Sequence, residues 1–346
     1  MVKKMNRREF LSLSGLSLAG LAFAPYSKGL NTSEDQMDLG RVCIDSVSIY
    51  SQPSDKSEIR YQRYRNELVH LYYEVTSDDG PDYNPKWYRV WGGYVHSARI
   101  QKVHFRTNPI IYDIPEEGVL AELTVPYSQI LRDTTVYGWQ ALYRLYYGSV
   151  HWVIGIENGP DGLPWYKVFD ELLDIPYLVK AEHLRLIDPS EYSPIATDVP
   201  FADKRIEVKL AEQMLYAYEY GELIFQTNIA SGVPQREVPP GTVPTKTPTG
   251  TFNIESKKPS THMGDGKITD DVTAYELPGI PWVSFFAPHG VAFHGTYWHD
   301  NYGTPMSHGC INMRSDEALW LYRWSDFQAK EGKIETTGYG TQVIVS

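Results

Sequence analysis

Cysteine is nearly absent: the chain of 346 residues has two, Cys43 and Cys310. Two thiols are too few for a disulfide framework, so either they form one bond or at least one is kept free for its reactivity. A basic excess is also missing. Against 43 Asp and Glu stand 32 Lys and Arg, a formal net charge of -11 with no basic block, which argues against nucleic acid as a partner. The apolar run from Phe10 to Ala24 is too short to span comfortably as a mature membrane helix. The length suggests two or three domains at roughly 100–200 residues each, every one large enough to bury a core.

What the N-terminus does have is a charge order. Lys3, Lys4, Arg7 and Arg8 precede the apolar run, as in an export signal, here taken as residues 1–28. Arg7-Arg8 followed by Phe10 and Leu11 resembles a twin-arginine signal, with Asn6 where Ser or Thr is usual. Ala22-Phe23-Ala24 has the small-x-small form of a cleavage site but is followed by Pro25, leaving later cleavage or retention as an anchor open. The expected location is the cell envelope, periplasm or wall.

The first half contains a repeat. "WYRVWGGYVHSARI" (Trp87–Ile100) and "WYKVFDELLDIPYLVKAEHLRLI" (Trp165–Ile187) each run from a WY-basic-V strand through a Tyr-led strand to an Ala and a terminal apolar step. Short strands separated by Gly, Pro, Asp and Asn read as small β-barrels. The two stretches resemble bacterial SH3-like modules, over 41–104 and 118–188. That resemblance implies wall binding or packing against a catalytic domain; the alternative is plain scaffold. A proline-bearing linker, 189–203, follows.

From residue 204 to 346 the pattern is again β-rich: a hairpin turning at Tyr220-Gly221-Glu222, a strand in "TGTFNIESK", and buried strands in "GVAFHG" and "TQVIVS". One helix is expected in "SDEALWLYRWSDFQAK", with Ser315 as N-cap, Asp316 and Glu317 in the first turn, and Trp320, Trp324 and Phe327 at helical spacing. The fold class is therefore mainly β, two small barrels followed by a β-rich domain with one or two helices.

Within "HGVAFHGTYWHDNYGTPMSHGCINM" lie four of the ten histidines and Cys310. A free thiol near pKa ~8.5 is mostly protonated at neutral pH unless an imidazole or a helix N-terminus stabilises its anion. His294 ends a strand, and Cys310 sits shortly before the helix start. Gly309 lets the backbone approach a substrate closely and leaves the amides of His308, Gly309 and Cys310 to face one concavity, where they can hold an oxyanion. Zinc is the rival use for this cluster, but His294, His299 and His308 lack ligand spacing and nothing else completes a structural site. A Cys43–Cys310 disulfide would silence the thiol and link different domains. Alternation makes Cys43, in "RVCIDSVSIY", a core-facing residue.

His294, a loop, then Ser307-His308-Gly309-Cys310-Ile311-Asn312, with Cys310 sixteen residues after His294, resembles the signature of the L,D-transpeptidase (YkuD-like) catalytic domain. The resemblance implies Cys310 as nucleophile, His294 as base, Gly295 orienting the histidine through its carbonyl, and His308 in a structural or oxyanion-loop role. Ser307, Asn312 and Arg314 are candidate substrate contacts, Arg314 for a carboxylate; His289 and His299 are given no catalytic role. The segment 260–288 is long for a loop, and in the family a lid lies there. Tyr275, Trp282, Tyr297 and Trp298 then either shape an acyl-donor channel or close the core.

The implied reaction is peptidoglycan 3→3 cross-linking: Cys310 attacks the third residue of a stem tetrapeptide, D-alanine leaves, and a neighbouring stem's amine resolves the thioester. No metal or organic cofactor is implied, and carbapenem-type inhibitors are expected to acylate the thiol. Carboxypeptidase activity or transfer to glycine or a protein amine would use the same residues. From another class, the chain could be a non-catalytic wall-binding protein.

Overall fold

The computed structural model describes residues 38–235, 237, 244–271, 276–329 and 338–346, without the side chains of 327–329 and 338. The export signal and Tyr275 lie outside these residues. The described chain is mainly β, with one α-helix, and none of its helices is long and apolar enough to cross a membrane.

The WY repeat is visible in three dimensions. In Lys86–Val90 the burial falls on Trp87, Tyr88 and Val90, and in Pro164–Asp170 on Trp165, Tyr166, Val168 and Asp170, while Arg89 and Lys167 stay half-buried. Each strand is followed by a second strand, a short 3-10 turn (Ser97–Arg99; Ala181–His183) with a buried alanine, and a final strand.

The barrels, however, are open sheets. Residues 38–103 form a three-stranded sheet (Leu68–Leu71, Asp38–Val42, Ile100–Val103) and a five-stranded one (Ile59–Tyr64, Ser46–Tyr50, Gly93–His96, Lys86–Val90, Tyr73–Thr76) around one core that includes Val42, Ile49, Tyr88 and Ile100. Breaks at residues 43–45 and at Tyr72 divert the chain from one sheet to the other, so the ladders never meet. Residues 119–186 make a single seven-stranded sheet whose edges, Gly138–Tyr146 and Leu184–Leu186, do not pair with each other. Cys43 falls just past its strand, half-buried, with its thiol 3.4 Å from the Arg41 carbonyl, and both cysteines are free.

Beyond residue 203 two sheets pack face to face. One has five strands, with Lys204–Lys209 central and parallel to Gln342–Val345; its hairpin turns at Tyr220 (φ 51°) and Gly221 (φ 88°). The other has four strands in the order Ser256–Gly264, Glu276–Ala287, Val291–Gly295, Ile311–Met313. The expected long loop at 260–288 is thus largely a β-hairpin, paired from Ser256↔Phe285 to Gly264↔Glu276. Between the sheets lie Ile206, Val208, Leu215, Phe286, Phe293, Ile311 and Val343.

The helix is shorter than its periodicity predicts. It spans Ser315–Trp324; Arg314 is the capping residue, without a side-chain bond, so Ser315 is the first helical residue rather than the cap. Two lysines from the sheets account for the early stop. Lys204 Nζ donates to the Trp324 carbonyl (3.0 Å) and pairs with Asp326 (2.8 Å), and Lys257 Nζ reaches the carbonyls of Tyr322 (2.5 Å) and Ser325 (2.7 Å). Both satisfy terminal acceptors with positive charge at the negative end of the helix dipole. Phe327 consequently belongs to a strand, Phe327–Ala329.

Lys204 is 1% exposed. Replacing it with Met strands a buried carbonyl and should destabilise the chain by roughly 1–3 kcal/mol. Urea denaturation of Lys204→Met beside Lys209→Met, at a half-buried position on the same strand, measures this; equal midpoints would refute the role.

Candidate functional site: a thiol and an imidazole on adjacent parallel strands

Val291–Gly295 pairs in parallel with Ile311–Met313 in the register Phe293↔Ile311, His294↔Asn312, Gly295↔Met313. Side chains alternate with a period of two, so His294, Asn312 and, two residues before it, Cys310 share one face. All three line a cleft of about 560 Å³.

The turn before Cys310 is held from several sides. Gly309 adopts φ 122°, a conformation L-residues avoid. Ser307 Oγ bonds the Cys310 carbonyl and accepts the Gly309 amide (3.2 Å). Thr247 Oγ1 accepts the Gly232 amide and donates to the Gly309 carbonyl, both at 2.8 Å. Of the three amides expected to face an oxyanion, that of Gly309 is therefore already engaged within the turn. Ser307 lines the cleft, but its hydroxyl is spent on holding the loop. His308 is exposed at the rim.

His294 is 2% exposed, and its Nδ1 donates to the Gly295 carbonyl at 3.0 Å, which leaves Nε2 as the basic nitrogen. Gly295 is tightly enclosed: a Cβ there would lie 2.8 Å from Pro281 Cγ and 3.0 Å from Ser315 Cα, so a larger residue requires these neighbours to shift. Burial lowers the His294 pKa to about 4 despite that carbonyl. Burial likewise raises the Cys310 pKa to about 11, against the stabilising Ala292 amide. The resting pair is thus a neutral thiol and a neutral imidazole.

His299, which the motif leaves out, proves to be part of the site. It is 4% exposed; its Nδ1 accepts the Asn301 amide (3.2 Å), and its Nε2 lies 2.8 Å from Asn312 Nδ2. With Nδ1 accepting, Nε2 carries the proton, so the Asn312 amide is complementary when turned with its oxygen to the ring. That turn also gives the buried Oδ1, otherwise without a partner, its donor. Burial, with Arg99 and His294 nearby, lowers the His299 pKa to about 3.

The other candidates divide. Trp298 lines the cleft, its ring 5.8 Å from that of His294. Trp282 instead packs in the core between Tyr192 and Tyr322, and Tyr297 is buried with its hydroxyl on the Pro278 carbonyl (2.8 Å). Neither lines the cleft: Trp282 belongs to the core between the two C-terminal sheets, and Tyr297 is stacked against Tyr146 of the seven-stranded sheet. Arg314 is also elsewhere, paired with Glu317 (3.5 Å) and stacked over Tyr302 (4.4 Å). His289, at φ 62°, is exposed at the cleft.

Sequence reasoning missed two walls. Arg99 and Leu172 come from turns between strands of the N-terminal sheets, and His262 from the long hairpin. His262 is fixed by Asp170 of the seven-stranded sheet (Nδ1 to Oδ2, 2.8 Å); its Nε2 lies 2.9 Å from Glu276 Oε2, off the direction of a hydrogen bond. Burial opposes ionisation of Asp170, but hydrogen bonds from His262 and Tyr143 hold its carboxyl below the usual range. Among the described residues no group of three or more His, Cys, Asp or Glu is disposed to hold a metal ion.

A thiol beside an oriented, neutral imidazole in a partly dry cleft is the equipment of nucleophilic acyl transfer. Residues 203–345 match the YkuD family, the L,D-transpeptidase catalytic domain, and the chain belongs to that family. Among solved structures it is similar to the catalytic domain of an L,D-transpeptidase from E. faecium (30% identity, 42% of this chain and 97% of that one, TM-score 0.29). It is also similar to an L,D-transpeptidase from Xylanimonas cellulosilytica (24% identity, 41% and 60%, TM-score 0.30). A third is L,D-transpeptidase 3 from Mycobacterium tuberculosis with a faropenem-derived adduct (20% identity, 42% and 60%, TM-score 0.31). The chain thus spans 60% of the length of the latter two. No curated protein matches it.

The two lowered histidine pKa values fix a stability window. Both rings stay neutral when folded but take up protons near pH 6.5 when unfolded, so their contribution is whole above about 6.5 and is lost as pH falls toward about 4 for His294 and about 3 for His299. Chemical denaturation from pH 7 to 4 should show stability falling with acid, less steeply in His294→Gln. An unchanged slope would contradict the buried neutral state.

Proposed function

We propose that the chain is an exported peptidoglycan L,D-transpeptidase that forms 3→3 cross-links through a thioester on Cys310. The observation that carries this reading is that His294, on the strand Val291–Gly295, and Cys310, the residue just before the parallel strand Ile311–Met313, line one cleft, with Nε2 left as the only acceptor of the ring.

As Sγ attacks the carbonyl carbon of the third stem residue, its proton passes to His294 Nε2 and the carbonyl oxygen takes the negative charge. Collapse of the tetrahedral species breaks the peptide bond, and the imidazolium returns the proton to the departing D-alanine amine. The amine of a neighbouring stem then attacks the thioester, giving up a proton to His294. The C–S bond breaks, and the thiolate recovers the proton. Neutral resting groups suit this sequence, since charge separation is confined to the moment of attack. Asn312, seated on His299, and the Gly295 carbonyl hold the imidazole side of the cleft in place.

The thiol's raised pKa supports direct proton transfer over a standing thiolate. Iodoacetamide labelling of Cys310 in the free protein, followed peptide by peptide to separate it from Cys43, should climb about tenfold per pH unit between 7 and 10. A rate that levels off near pH 7 would mean a preformed ion pair and sink this account.

Purified protein incubated with a disaccharide tetrapeptide should yield a tetrapeptide–tripeptide dimer by mass spectrometry, and Cys310→Ala should yield none. A carbapenem should add its mass at Cys310 and not at Cys43. Tripeptide alone indicates water as acceptor, a carboxypeptidase; no turnover and no adduct overturns the enzyme reading.

A further inference from the structure

The cleft carries one charge that its walls do not neutralise. Among its described lining residues Arg99 is the only Lys, Arg, Asp or Glu. It ends the short turn Ser97–Arg99 of the first N-terminal segment, half-buried, with Nη2 3.8 Å from Met306 Sδ. A thioether is a weak acceptor and brings no counter-charge. Among the described residues Arg99 forms no ion pair with a carboxylate, in a chain whose acidic residues outnumber its basic ones 43 to 32.

Its placement is built. The Arg99 carbonyl accepts the Cys43 amide (3.0 Å), and the carbonyl of Ala98 accepts the Asp300 amide (3.1 Å) from the loop between His294 and Cys310. Asp300 itself turns its carboxylate to Tyr88 (3.5 Å). Further ties bind that loop to the same segment: Arg41 Nη2 to the Tyr297 carbonyl (2.9 Å) and Asn84 Nδ2 to Asn301 Oδ1 (3.2 Å). Burial lowers the Arg99 pKa, the mark of a guanidinium partly stripped of water. Such a group is costly to keep without a counter-ion, and its fork of donors matches a carboxylate in two bonds.

We propose that Arg99 is a substrate-recognition residue that binds a free carboxylate of the peptide entering the cleft beside Cys310. The inference rests on the transpeptidase reading for the identity of that peptide, a stem tetrapeptide. Two sources offer the same chemistry: the terminal carboxylate of the departing D-alanine and a carboxylate within the stem. In either case the first N-terminal segment sets which peptides are accepted, a task the motif alone would give to Arg314.

The test uses the full chain carrying Cys310→Ala, so that binding is read without turnover, with calorimetric titration of the tetrapeptide, its terminal carboxamide and an analogue amidated at internal carboxylates. Arg99→Gln should weaken the parent peptide by roughly tenfold or more, as expected for a lost charge-assisted pair, and leave one amidated analogue unchanged. That analogue names the carboxylate. Arg99→Lys, which keeps the charge without the fork, should fall between. Equal weakening of all three peptides, no weakening of any, or no binding at all overturns the inference. Peptide bound through Arg99 but never turned over by the Cys310 chain would instead remove the transpeptidase reading; turnover indifferent to Arg99 does the reverse.

Discussion

Everything at the site depends on one parallel ladder, Val291–Gly295 beside Ile311–Met313. Because side chains alternate across a strand, a slip of one residue would turn Cys310 away from His294 and into the core. The register is held from both sides. Phe293 and Ile311 are buried, Asn312 exchanges two backbone bonds of 3.0 Å with Ala230, and Ser307 bridges the turn that leads into the strand. The helix that follows at Ser315 packs on the same sheet, and its end is fastened by lysines 204 and 257.

A second constraint is dryness. His294, His299 and Asn312 are all nearly fully buried, yet His294 Nδ1, both ring nitrogens of His299 and the Asn312 amide face specific partners, and His294 Nε2 alone is left open. The cleft thereby keeps its reactive groups uncharged and aimed, the state in which a low dielectric favours them. His262 is treated differently, set between two carboxylates contributed by separate sheets. That arrangement ties the long hairpin to the seven-stranded sheet at the point where the hairpin becomes cleft wall.

Local chemistry was legible in the sequence; long-range packing was not. The spacing from His294 to Cys310, the need for glycine at 309 and the β character of nearly every segment could be read directly, as could the WY repeat. The helix end could not, since Lys204 lies 120 residues from the carbonyl it caps. Nor could barrel closure, because the breaks at residues 43–45 and Tyr72 look like ordinary turns until their ladders are traced. Aromatic rings carry no label distinguishing channel from core, and only Trp298 among the described candidates reached the cleft. Arg99, His262 and His299 escaped notice for the same reason: their partners are distant in sequence or outside any motif.

The cleft draws its walls from the beginning, middle and end of the chain: Arg99, His262 and Cys310. During synthesis the arginine is made long before the cysteine, and the strand Lys204–Lys209 must wait for Gln342–Val345 to complete its sheet. Contacts of such separation form late in folding. A nascent or clipped chain therefore holds a thiol without a finished pocket around it. The cleft is in this sense timed by the protein's own topology, complete only when the strand Gln342–Val345 has docked.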